Sequence, residues 1–110
     1  MLLKILNDIL GDIPYKESRF RKPPSDTYCV YFDDMEKRGG DYINLVIEHN
    51  VELEVYEYYK DILAEKQIEA NLDLLGINFK KQSRIWIESE QLYETIYTFN
   101  FLEKGGLSNG

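Results

Sequence analysis

Between Ile47 and Val55 the chain alternates without a break. Ile47, His49, Val51, Leu53 and Val55 are interleaved with Glu48, Asn50, Glu52 and Glu54. Successive side chains of a strand point to opposite faces, so this run predicts a strand with one apolar face and one acidic face. The period then changes. From Asp61 to Leu75, the residues Ala64, Ile68, Leu72 and Leu75 recur at helical spacing, flanked by Leu63 and Leu74, and predict a helix. Asp61 is the candidate N-cap. Gly76 is the candidate left-handed residue past the helix end, with Ile77 folding back onto the last turn. Asn78 to Ile87 and Leu92 to Leu102 read as two more strands, joined by Glu88-Ser89-Glu90-Gln91 into an antiparallel hairpin.

The rest of the chain is read the same way. Leu2 to Leu10 is a short helix, with Leu2, Leu6 and Ile9 on one face, Leu3 and Leu10 beside them, and Gly11 as its stop. Asp12 to Asp26 holds all three prolines and reads as a loop, which Pro23-Pro24 keeps extended before the first strand. That strand is Thr27 to Phe32 (TYCVYF), apolar on both faces and so expected in a covered position. Asp33 to Asp41 (DDMEKRGGD) is expected to be a polar loop with a flexible Gly39-Gly40 tip. Tyr42 to Val46 is either a separate short strand or the start of the alternating one. The expected fold is α+β: one domain over residues 1–104, with a mostly antiparallel sheet of four to five strands and both helices on one face, and a frayed tail over 105–110.

The composition limits function more than it assigns one. With 110 residues there is room for one modest core. The formal net charge of −7 argues against a general nucleic-acid-binding surface. Basic residues cluster once, at Lys16, Arg19, Arg21 and Lys22, which reads as a solvated loop. One cysteine permits no internal disulfide and fits a reducing compartment. The opening MLLKILNDIL is too short and interrupted for a membrane span and lacks the layout of a signal peptide, so a cytoplasmic protein is expected.

No residue set matches a catalytic or metal-binding pattern, and neither an enzyme nor a cofactor is expected. His49 has no second histidine at ligand spacing and reads as a residue at the core margin. Cys29 lies in an apolar strand and reads as a small buried hydrophobe. Trp86, with apolar neighbours, reads as core or sheet cover, with an interface hot spot as the alternative that sequence does not separate from it. Gly39-Gly40 lacks the context of a phosphate-binding loop; it is a mobile loop, or one that orders against a neighbouring subunit. Glu48, Glu52, Glu54 and Glu57 form an acidic run, with Asp33, Asp34, Glu36 and Asp41 nearby in sequence. A solvated strand face ranks first for this run, an acidic assembly lumen second, and an active site third.

One resemblance goes further. LDLLGINFKKQSRIWIESEQLYETIYTFNF resembles the C-terminal half of small tail-completion, or tail-terminator, proteins of Gram-positive phages and prophages. The matching residues are Gly76, Ile77, Phe79, Trp86, Ile87, Glu88, Ser89, Glu90, Leu92, Tyr93 and Tyr97. VELEVYEYYKD (51–61) resembles that group's strand-to-helix entry, and TYCVYF after a proline pair resembles its first strand. The resemblance implies a structural protein that forms a ring, commonly a hexamer, on the head-proximal end of the tail tube. Its partners would be copies of itself, the major tail tube protein and head–tail connector proteins. DNA would pass through without specific binding, no membrane would be involved, and the protein would move from the host cytoplasm into the virion tail. Under this reading Asp34, Met35, Glu36, Lys37, Arg38, Gly39, Gly40 and Asp41 are the candidate assembly interface. Glu48, Glu52 and Glu54 are the candidate lumen or solvated face. The alternatives are a head–tail joining protein of the same gene cluster and a small-molecule-binding regulatory or enzymatic α+β domain.

Overall fold

The alternating run forms a long central strand, and the rest of the fold is arranged on it. The computed structural model describes residues 1–39, 45–58 and 63–104. The expected Asp61 cap, the Tyr42–Asn44 segment, Gly40, Asp41 and the 105–110 tail lie outside the described residues. The elements are α1 (Leu2–Leu10), β1 (Tyr15–Glu17), β2 (Tyr28–Arg38), β3 (Val46–Glu57), α2 (Leu63–Leu74), β4 (Phe79–Lys81), β5 (Ile85–Ile87) and β6 (Leu92–Lys104). The sheet order is β1-β2-β3-β6-β4, with β5 also paired to β6. All pairs are antiparallel except β1 with β2.

The alternation in β3 survives intact. His49, Val51, Leu53, Val55 and Glu57 are buried, and the residues between them are half-buried. The register sets Val55 beside Cys29 and Thr95, Leu53 beside Tyr31 and Tyr97, and Val51 beside Phe99. Both helices cover this face: Leu6, Ile9 and Leu10 of α1 and Ala64, Ile68 and Leu72 of α2 join Cys29, Val51, Leu53, Val55, Tyr97 and Phe99 in one core. Two side chains of α2 also satisfy the exposed end of α1. Gln67 Nε2 donates to the Leu10 carbonyl at 2.8 Å and Asn71 Nδ2 to that of Ile9 at 2.9 Å, filling acceptors that a helix C-terminus leaves open. At the end of α2, the Ile77 N–H donates to the Leu72 carbonyl and the Gly76 N–H to that of Asp73, with Gly76 at φ +71. These two bonds make a Schellman motif, and Ile77 packs back onto the core as expected.

Five expectations change. Asp33–Arg38 is not a loop. It continues β2 and pairs residue for residue with β3, from Asp33 opposite Val51 to Arg38 opposite Val46. A backbone ladder tolerates polar side chains when they stay solvated, and composition alone misses that. The segment expected as a proline loop contains β1, held by the Cys29 N–H donating to the Pro14 carbonyl at 2.9 Å and the Ser18 N–H donating to that of Tyr31 at 3.0 Å. The single strand expected over Asn78–Ile87 is two short strands, which brings the sheet to six. Trp86 is not core: it is 43% exposed, lies against Tyr93 with ring centroids 4.9 Å apart, and donates its indole N–H to Glu88. The stripe of α2 also ends early, since Leu75 falls past the helix and is 42% exposed.

Candidate assembly surface

The even-numbered residues of β3 point away from both helices. They give the second face of the sheet a line of Glu48, Asn50, Glu52, Glu54 and Tyr56. Across the ladder stand Glu36, Asp34, Phe32, Val30 and Tyr28 of β2 and Leu102, Asn100, Thr98, Ile96 and Glu94 of β6. β2 is covered on this side at its beginning, where Phe20 packs edge-on against Tyr28 and Tyr28 stacks on Tyr56. Beyond Val30 no element covers the face among the described residues, and Phe32 is 40% exposed.

Charges on this face are crowded. Glu36 lies directly opposite Glu48, a destabilising arrangement for like charges. Arg38 relieves it, binding Glu48 and lying 3.9 Å from Glu36. Tyr56 Oη lies 2.7 Å from Glu54 and 2.8 Å from Glu94, so its single proton serves two carboxylates. Burial first, then the neighbouring Glu52, holds the Glu54 carboxyl above the ordinary carboxylate range, against the pull of the Tyr56 hydrogen bond. Where β4 starts, Asn50, Glu52, Asn78, Lys80, Thr98 and Asn100 rim a shallow concavity of about 590 Å³.

On the opposite face, past the reach of the helices, β2, β3 and β6 continue together as a three-stranded arm. His49 Nδ1 lies 2.7 Å from Asp33 and its Nε2 lies 2.7 Å from Glu103, so the ring bridges all three strands. It stacks flat on Phe101, with centroids 4.4 Å apart. Burial opposes a charged ring here, but the hydrogen bonds to Asp33 and Glu103 and their charges outweigh it, and the His49 pKa rises from 6.5. His49 was legible as a residue of this face, and its two acid partners were not. They lie 16 and 54 residues away in sequence and meet it only through strand register.

A second polar cluster ties β4 to α2. Lys81 Nζ binds Glu65 at 2.8 Å and Glu69 at 2.7 Å, Tyr97 donates to Glu69 at 2.7 Å, and Arg84 lies over the Tyr93 ring. The Lys81 pairs hold an edge strand to a helix. Cys29 is fully buried, and burial first, then the charge of Glu57, pushes its thiol pKa upward, which keeps it protonated and inert. Among the described residues no acidic, histidine and cysteine side chains are grouped as metal ligands, and no helix is long and apolar enough to cross a membrane.

The candidate residues therefore separate. Glu48, Glu52 and Glu54 share one uncovered face. Asp34, Glu36 and Arg38 join them there from β2, whereas Met35 and Lys37 belong to the helix side of the sheet. Ile85 and Trp86, 52% and 43% exposed, lie at the far end of β6 from the arm. No protein-family model matches the chain, and comparison with curated proteins gives no significant match.

Proposed function

We propose that this protein is a structural subunit of a phage tail, closing the head-proximal end of the tail tube as a ring that stops tube growth and receives the head. The observation that carries this reading is the uncovered acidic sheet face. A wall of Glu48, Glu52 and Glu54 repels phosphates, so DNA passing along it would neither stick nor be read. The ends of the long strands support the same reading. A closed ring needs two different complementary patches per subunit. The arm offers the mixed charges of Asp34–Arg38, and the opposite end of the sheet offers the exposed Ile85–Trp86 pair, whose tryptophan is the residue type favoured at interface centres.

The test is microscopy of virions from a prophage strain lacking this gene. Tails of uncontrolled length, or heads without tails, are the expected result, and normal infectious particles would refute the role. Heads that keep their neck but carry no tail, beside tails of normal length, would instead favour the head–tail joining protein. The amide-rimmed concavity at Asn50, Asn78 and Asn100 favours a different reading, a domain that binds a small polar ligand. A saturable ligand-induced thermal shift, abolished by Asn100→Leu, is the outcome that reading requires.

A further inference from the structure

The two long edges of the arm are finished differently. β1 covers β2 only at Cys29–Tyr31, and β4 and β5 cover β6 only at Tyr97–Phe99 and Leu92–Glu94. From Phe32 to Arg38 on β2, and from Asn100 to Lys104 on β6, the outer backbone groups have no strand neighbour among the described residues. Exposed edges invite pairing, and proteins guard them with charge. The β2 edge is guarded, with five charged residues among Phe32–Arg38. An antiparallel second copy in the register centred on Met35 would set Asp34 against Glu36 twice, and the register centred on Glu36 would set that residue against itself. The β6 edge is guarded less, since its charges, Glu103 and Lys104, fall at one end of Asn100–Lys104 and Leu102 at its middle is 62% exposed.

The backbone direction at that edge follows from one bond. The Gln82 N–H donates to the Ile96 carbonyl from the outer side of β6, and the register with β3 runs on unbroken to Lys104. The alternate residues Asn100, Leu102 and Lys104 therefore aim their N–H and C=O groups outward. We infer that this edge joins two copies of the chain, antiparallel about a two-fold axis at Leu102. Leu102 then meets its own copy, Asn100 meets Lys104, and Phe101 meets Glu103. No like charges oppose each other, and Lys104 of each copy lands on the acidic face beside Asn100 and the Glu52 rim of the other. An antiparallel arrangement also sends the second body away from β4, which would block a parallel one. The seam is isologous, so one such edge suffices. It concerns the free chain and does not rest on the tail-end reading.

Leu102→Cys tests the geometry. Opposed residues of a hydrogen-bonded antiparallel pair lie about 5.5 Å apart between Cα atoms, inside the range of about 4.4–6.8 Å that a disulfide spans. Under mild oxidation this variant is expected to form a covalent dimer, and Met35→Cys on the guarded edge is not. Sedimentation of the full native chain over a concentration series is expected to show a monomer–dimer equilibrium. Leu102→Pro deletes an outward N–H without touching the β3 ladder and should leave a monomer. If circular dichroism shows Leu102→Pro unfolded, Leu102→Lys replaces it, with dimerisation weakened at least about tenfold by charge on the axis. A native chain that stays monomeric, a dimer unchanged by these variants, equal cross-linking through Met35→Cys, or a dimer seen only after removal of residues 105–110 would each overturn the seam.

Discussion

At the scale of single residues, His49 makes the sharpest prediction. An imidazole held between Asp33 and Glu103 donates from both nitrogens only when protonated. Its folded pKa is raised above the ordinary 6.5. The stabilisation is therefore fully present below the unfolded value and is lost as pH rises through the folded one. His49→Gln keeps a polar group of similar reach but removes the charge between two acids. Removing one partner of a fully buried ion pair costs about 3–5 kcal/mol. Here Glu103 is 31% exposed, so about 2 kcal/mol is expected, and denaturant unfolding below pH 6.5 measures it. The gap between native chain and variant should narrow at alkaline pH; a constant gap would mean that His49 contributes packing on Phe101 rather than charge.

The elements differ in how far the sequence revealed them, and the reason is range. The end of α2 was legible because a Schellman motif is local: Leu72, Asp73, Gly76 and Ile77 determine it among themselves. Gly76 sits at φ +71 with nothing within 4 Å of the position an added Cβ would take. Gly76→Ala therefore meets only backbone strain, and a loss of about 1–2 kcal/mol is expected. It should appear as a lower denaturation midpoint with an unchanged slope; a larger loss would point to a contact at that turn. The face assignment of Glu48, Glu52 and Glu54 was legible for a similar reason, since period-2 alternation is a property of one strand. By contrast, β1, the far half of β2 and the split of β4 from β5 depend on partners distant in sequence. DDMEKR carries no strand signal of its own and is a strand because VIEHNV lies opposite it. The core reading of Trp86 failed for a related reason: its apolar neighbours Ile85 and Ile87 share β5, a short strand paired with β6, and Ile85 is itself 52% exposed.

Over the whole molecule the titrating groups pull mostly one way, and this sets where the protein is most stable. His49 and Glu54 are both raised above their ordinary values of 6.5 and 4.5, so the folded state holds protons that the unfolded chain releases. Stability from each falls as pH rises through its folded pKa. The alkaline groups act in the same direction. The Lys81 ammonium is raised above 10.5 by Glu65 and Glu69 against its burial, and the buried Cys29 thiol and the Tyr56 and Tyr97 hydroxyls are raised chiefly by burial. Glu69 opposes them. Its carboxyl is lowered below 4.5, since Lys81 and Tyr97 outweigh its burial, so its contribution appears as pH rises through the acid range and is complete above the unfolded value. The formal charge of −7 adds self-repulsion toward alkaline pH. Stability should therefore peak between pH 4.5 and 6.5, bounded below by Glu69 and above by His49, with Glu54 drawing the maximum toward the acid side of that window. Unfolding midpoints measured at constant ionic strength from acid to alkaline pH check this. A maximum above pH 7 would show that the proton held in the arm and the proton shared on the acidic face are not what the folded state retains. The same series repeated in high salt separates the two sources, because screening flattens the self-repulsion while leaving the buried His49 bridge largely intact.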